Sequence, residues 1–275
     1  MRRERKGGFM SKIKLGLQIY AVREDFEEAP AETLKRIAEI GYKGVEMNYF
    51  MFNQTAEFYA QALADAGLEC YSVMIGEDHL QAAEEDPHVL EEIMQYCRTL
   101  GCEAIVIGAY NLKPIAEDPT YADKIIERTK AAAEKIRAAG FKVGFHNHDF
   151  DHLTKVDENK TFFEFLFENI TDDFMLLMDT GNCMGGNADP IEIIKRFPGR
   201  TEIAHFKGFS SELRYLTPVW KAEIDSDELI RTLVEVGKAQ KFSVEFGARG
   251  GYVPFERAEQ SYVWLSNKLK EKGLL

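Results

Sequence analysis

No run of about 20 apolar residues, the length of a membrane-spanning helix, occurs anywhere in the chain. The basic opening of residues 1–10 (MRRERKGGFM) is not followed by the apolar segment of a signal peptide. No membrane partner is therefore expected. Cysteine is scarce: Cys70, Cys97, Cys102 and Cys183 are the four among 275 residues, and no two form a CxxC pair. That excludes a disulfide framework and a cysteine-rich zinc site, and leaves buried reduced thiols in a cytoplasmic protein. Basic residues are outnumbered, 34 against 46 acidic, for a formal charge of -12. Partners of nucleic acid favour basic surfaces, so nucleic acid is not expected as a partner. Low-complexity tracts and linkers are missing too. Residues 12–275 read as one domain, preceded by a disordered leader at 1–11 or by an upstream start with Met10 as the natural one.

What the sequence does have is alternation. Strand-like apolar runs fall at 14–20, from 44, and at 68–75, 104–108, 142–148, 174–179, 202–207 and 241–246. Helical patterns follow them at 30–40, 55–66, 87–100, to 139, 161–168, 190–197, 226–236 and 254–269. Gly41, Gly67, Gly101, Gly140 and Gly237 mark helix stops. Asp118 reads as an N-cap with Pro119 in the first turn. Eight strands and eight helices in strict alternation predict an α/β fold, the (β/α)₈ TIM barrel, in a single domain. An open nucleotide-binding sheet would need a glycine-rich first turn, and Ala21-Val22-Arg23-Glu24-Asp25 has no glycine.

In such a barrel the strand ends entering the βα loops share one mouth. The polar residues closing the strands are Gln18, Tyr20, Glu46, Asn48, His79, His146, His148, Asp179, Asn182, His205, Lys207 and Glu245. Asp179, His205 and Glu245 end three successive strands, each after residues that would otherwise be core. Carboxylates buried there without a partner are costly, and a bound cation removes the cost. Nitrogen and oxygen donors suit one divalent ion, Mn²⁺, Zn²⁺, Co²⁺ or Mg²⁺. On strand five the two-residue period puts His146 and His148 on one face and Asn147 on the other. Either histidine can be the fourth ligand; His146 lies deeper and is the better candidate. Asp149 or Asp151 can orient an imidazole. Residues 209–224, with Tyr215, Pro218 and Trp220, read either as a lid or as an aromatic-packed loop.

With these residues assembled, the sequence resembles the xylose-isomerase-like barrels of the sugar phosphate isomerase/epimerase family, over nearly all of residues 12–272. The motifs that carry the resemblance are Gly41-Tyr42-Lys43-Gly44-Val45-Glu46, His146-Asn147-His148-Asp149-Phe150, Asp179-Thr180-Gly181-Asn182, Ala188-Asp189-Pro190 and His205-Phe206-Lys207. The superfamily includes ketose 3-epimerases, hydroxypyruvate isomerase, inosose dehydratase and endonuclease IV. The resemblance implies His146, Asp179, His205 and Glu245 as metal ligands, and a homodimer or homotetramer. It also marks departures. His146 stands where the epimerases carry a glutamate, Asn182 where they carry a substrate-binding histidine, and Gly208 where an aspartate usually follows the His-x-Lys.

The expected chemistry is that of an isomerase or epimerase on a small-molecule carbohydrate, a keto sugar or related polyol, through α-proton abstraction and a metal-stabilised enediolate. Glu245 or His148 is the general base, and Lys207 adds positive charge near the developing anion. Gln18, Arg23, Glu46 and Trp220 are candidates for substrate contact, with Asp151 and Asn182 beside them. Expulsion of a β-oxygen from an inosose or 3-keto-glycoside would make the enzyme a lyase. An endonuclease IV-like phosphodiesterase and a non-catalytic sugar-binding barrel are the rivals.

Overall fold

The computed structural model describes residues 12–247 and 252–275; the expected leader at 1–11 lies outside them. Eight parallel strands close into a barrel in chain order: β1 (Lys14–Gln18), β2 (Gly44–Asn48), β3 (Glu69–Gly76), β4 (Ala104–Ala109), β5 (Lys142–His146), β6 (Met175–Asp179), β7 (Ile203–Phe206) and β8 (Lys241–Val244). The β1–β8 register, Lys14 beside Lys241 through Leu17 beside Val244, makes the closure. The helices are α1 (Arg23–Glu28), α2 (Pro30–Ile40), α3 (Ala56–Ala66), α4 (Glu77–Glu85), α5 (His88–Thr99), α6 (Tyr121–Ala138), α7 (Asp149–Leu153), α8 (Phe162–Asn169), α9 (Thr180–Gly185), α10 (Pro190–Arg196), α11 (Ser226–Glu235) and α12 (Pro254–Glu271). No helix among the described residues is long and apolar enough to cross a membrane.

The strands are apolar on both faces because each has two burials to make. A large core of Leu, Ile, Val and Phe packs between strands and outer helices, and a separate small one fills the barrel. Tyr71, Val106, Met175, Leu177 and Ile203 belong to the inner group. Tyr71 fits because β1 and β2 place glycines against its ring: a Cβ on Gly16 would lie 2.6 Å from it, and one on Gly44 2.2 Å. With the interior plugged by side chains, only the C-terminal ends of the strands are left to form a cleft.

Local signals explain the boundaries. Thr55 caps α3 by accepting the amide hydrogen of Phe58, and Asp189 caps α10 through Ile191. Asp118 does not cap α6 as expected. It accepts from the amide and hydroxyl of Thr120, closing a turn one step early, and the helix starts at Tyr121. β5 stops at His146 instead of His148, because His148 opens the single-turn helix α7. Likewise α4, α7 and α9 follow directly on β3, β5 and β6, where longer loops were expected.

Candidate metal centre

Asp179 closes β6, His205 lies within β7 and Glu245 follows the last residue of β8, while His146 closes β5. All four are buried, and one ligand atom from each lies within 4.8 Å of the others. The histidine at 205 is held from both sides. Its Nε2 is 2.9 Å from Glu46 Oε1, and its Nδ1 is 2.5 Å from Glu245 Oε2. His146 Nε2 sits 3.4 Å from both Asp179 Oδ2 and Glu245 Oε2. Lys207 completes the group, with Nζ 3.0 Å from Glu245 Oε1 and 3.5 Å from Asp179 Oδ2.

A second layer fixes these positions. Asp179 Oδ1 accepts from the amide of Asn182 at 2.7 Å, which leaves Oδ2 to the cluster. The side chain of Asn147, facing away from the two histidines, accepts from the Asp179 amide at 2.8 Å and donates to its carbonyl at 3.1 Å. Glu46 accepts from Ser72 Oγ at 2.7 Å, so both its oxygens are engaged. A carboxylate on the far nitrogen of a histidine sets its tautomer and points the near nitrogen at the ligand.

The charges follow from this packing. Burial pulls the His205 imidazolium down, but Glu46 and Glu245 outweigh it and hold the ring up to about 10. For His146 burial acts the same way, and hydrogen bonds to Asp179 and Glu245 raise it above its ordinary value. Burial opposes ionisation of Glu245, yet Lys207 and His205 keep its carboxyl well below the usual carboxylate range. His148 has no such partner: burial, then the neighbouring His146, push it down to about 3, so its ring is neutral.

Three carboxylates, Glu46, Asp179 and Glu245, thus face two imidazolium rings and one ammonium. Exchanging the two ring protons for one divalent cation leaves the net charge unchanged. The two nitrogen and two oxygen donors also match what Zn²⁺ or Mn²⁺ takes. The residues fit a divalent ion.

A cleft of about 400 Å³ opens beside the cluster, and Gln18, His146, His148, Lys207 and Glu245 are among its lining residues. Other sequence candidates stand elsewhere. Glu46 is fully buried behind His205, holds that ring through Nε2 and is not among the residues lining the cleft. Asn182 is spent on the Asp179 turn and on the carbonyl of Asn147, 3.0 Å from its Nδ2. Trp220 lines a small separate pocket with Trp264 on the outer side of β7. Arg23 leans on Tyr20, its guanidinium 5.3 Å from the ring centre, and does not reach the cleft lining. Asp151 lies buried under His148, whose amide donates to its Oδ2 at 2.6 Å. Burial pushes the Asp151 carboxyl up to about 8. His79 accepts from the amide of Gly76 at the start of α4 and is no ligand of the cluster.

The connection 209–224 is tied down. Tyr215 donates to Asp149 Oδ2 at 2.6 Å, and Arg257 donates to the carbonyl of Thr217 at 2.7 Å. A Cβ on Gly208 would lie 2.0 Å from the Thr217 carbonyl oxygen, so no aspartate fits there. Sequence reasoning missed the clamp made by Asn147 and the support given by Glu46. The alternation around Asn147 was the available signal, since an outward amide between two inward histidines must find partners on β6.

Comparison with known proteins agrees with this architecture. A curated inosose dehydratase from Geobacillus kaustophilus is 24% identical over 191 residues, 64% of this chain and 61% of the relative. The chain's match therefore spans about three-fifths of that enzyme. A sugar phosphate isomerase/epimerase from Parabacteroides distasonis superposes with a TM-score of 0.75 at 20% identity, over 96% of both chains. The IOLI protein, solved with a zinc atom, superposes with a TM-score of 0.71 at 15% identity, over 94% of this chain and 99% of that one. The model of the xylose isomerase-like TIM barrel family matches residues 34–268, and the chain belongs to that family.

Proposed function

We propose that this protein is a divalent-metal-dependent enzyme that removes the proton α to the carbonyl of a keto sugar or related polyol. The observation that carries this reading is the charge-balanced cluster of His146, Asp179, His205 and Glu245 opening on a closed-ended cleft. A divalent ion held by these four residues supplies Lewis acidity toward a carbonyl oxygen. Among the described residues Glu245 is the carboxylate that lines the cleft, and it is the base. Lys207, 3.0 Å from Glu245 Oε1, keeps that carboxylate ionised and faces the negative charge that grows on the substrate. His148 is neutral in the cleft wall and serves as a hydrogen-bonding group, not as a cation.

With His146 on strand five in place of a carboxylate, the proton leaves and returns on one face. That favours transfer between adjacent carbons, an isomerisation, over inversion by two opposed bases. Elimination is the second reading, supported by the likeness to inosose dehydratase. There Glu245 takes the α proton, the bond to the β oxygen breaks, and the same Glu245 carboxyl returns the proton to the departing oxygen, which His148 hydrogen-bonds.

The test is solvent-deuterium exchange, followed by NMR, on a panel of keto sugars and inososes with metal-loaded and chelated protein. Metal-dependent α exchange is expected, with an isomer or a dehydrated product to tell the two outcomes apart. Equal exchange with and without metal would overturn the proposal.

A further inference from the structure

The cleft is chemically divided. One wall, from the β5–β8 half, carries His146, His148, Lys207 and Glu245. The opposite wall, from the β1–β4 half, is apolar apart from Gln18 and Asn48, with Tyr20, Phe50, Met74 and Ala109. The apolar wall has little to offer a hydroxyl-covered molecule. The Tyr20 hydroxyl accepts from Arg23 Nη1 at 3.3 Å and keeps only its own hydrogen to donate. Gly108 lacks a side chain, and Met74 fills the gap: a Cβ on Gly108 would lie 2.9 Å from Met74 Cγ. Phe50 stands 64% exposed at the entrance, its ring edge-on to Tyr20 at 6.5 Å. The two rings together offer an aromatic face at the rim against which an apolar group can pack.

Two buried amides, Gln18 on β1 and Asn48 on β2, interrupt the apolar wall. Gln18 Oε1 accepts from the Tyr20 amide, and its Nε2 has no partner among the described residues. Asn48 Oδ1 is likewise buried and unpaired, and both residues line the cleft. Unpaired buried polar atoms are costly and await a ligand group. They supply a donor and an acceptor on the side of the cleft that faces Glu245 and His148. The volume, about 400 Å³, falls among sites of ~300–1,000 Å³ that take drug-sized ligands.

We infer that the substrate is a sugar or cyclitol ring bearing an apolar aryl or alkyl group. The ring lies between Glu245, His148 and the Gln18–Asn48 pair, and the apolar group rests on Tyr20, Phe50 and Met74. The placement of the ring rests on the proposed α-proton chemistry; the apolar subsite does not.

Calorimetric titration of the metal-loaded protein with phenyl β-D-glucopyranoside and methyl β-D-glucopyranoside tests it. The phenyl glycoside is expected to bind at least tenfold more tightly, with its aromatic protons receiving the strongest saturation transfer in NMR. Phe50→Ala, at an exposed position that the fold tolerates, should bring the two within about threefold. Equal binding by the wild type, no binding of the phenyl glycoside, or a preference untouched by Phe50→Ala would overturn the inference. Deuterium exchange on an inosose without a phenyl preference overturns this inference alone. A phenyl preference without exchange on any keto substrate overturns the proposed reaction and leaves the subsite standing.

Discussion

Loading the cluster with a divalent ion should release protons, and their number follows from the geometry. His146 Nε2 and His205 Nδ1 can ligate only as lone pairs, so each ring must give up the proton that its carboxylate neighbours hold there. His205 is held up to about 10 and His146 above its ordinary value. At pH 6 both rings are therefore protonated in the free protein, and loading releases about two protons. The sign is fixed: histidines with raised values compete with the ion below those values, so affinity rises with pH. Two protons correspond to about a hundredfold in apparent Kd per pH unit, or roughly 2.7 kcal/mol. The slope should fall to about one once His146 has lost its proton, and to zero only near pH 10. Calorimetry with Zn²⁺ or Mn²⁺ in buffers of different ionisation enthalpy counts the protons directly. Release of none at pH 6 would refute the charge exchange, and with it this ligand set.

Other consequences concern the residues around the cluster. Glu46→Gln keeps an acceptor for His205 Nε2 but removes a buried negative charge. His205 should then hold its proton less firmly, and calorimetry at pH 8 should count fewer protons released than in wild type; an unchanged count would contradict the role given to Glu46. Lys207→Met should still bind metal while kcat/KM falls about 10²–10³-fold, the scale of losing one group that stabilises developing charge; loss of metal binding instead would make Lys207 structural. Asp151 sits at about 8 when folded against about 3.9 for an ordinary Asp, so the native state holds a proton that the unfolded chain has lost. The contribution of Asp151 to stability should fall as pH rises from 4 to 8, by on the order of 1.4 kcal/mol per unit, on top of the profile that wild type shares with a variant at this position. Asp151→Asn, which keeps the acceptor for the His148 amide, should lack that fall and be the more stable protein at pH 8 in urea unfolding. Parallel pH profiles would refute this.

The barrel was legible because every strand of a closed parallel sheet is buried on both faces and reads as a short apolar run between turn signals. The helices α4, α7 and α9 were not. They are short and begin on Glu77, Asp149 and Thr180, within three residues of the ends of β3, β5 and β6, so no apolar period announces them. The four ligand candidates were visible for one physical reason: a carboxylate or imidazole at the end of a buried strand needs a compensating charge. Depth was not visible. A two-residue period tells which face Glu46 takes but not that His205 stands between it and the cleft. Trp220 shows the same limit for loops, where the sequence gives an aromatic ring and the fold decides on which side of β7 it packs. The split between polar and apolar walls needed the closed barrel, since it joins residues of β1–β4 to residues of β5–β8.

Anomalous diffraction from crystals grown with Zn²⁺ or Mn²⁺ tests the centre most directly. The expected result is a single strong peak among His146 Nε2, Asp179 Oδ2, His205 Nδ1 and Glu245 Oε2, at ligand distances of about 2.0–2.2 Å. A peak elsewhere with these four residues still hydrogen-bonded to one another, or no peak at millimolar metal, would contradict it.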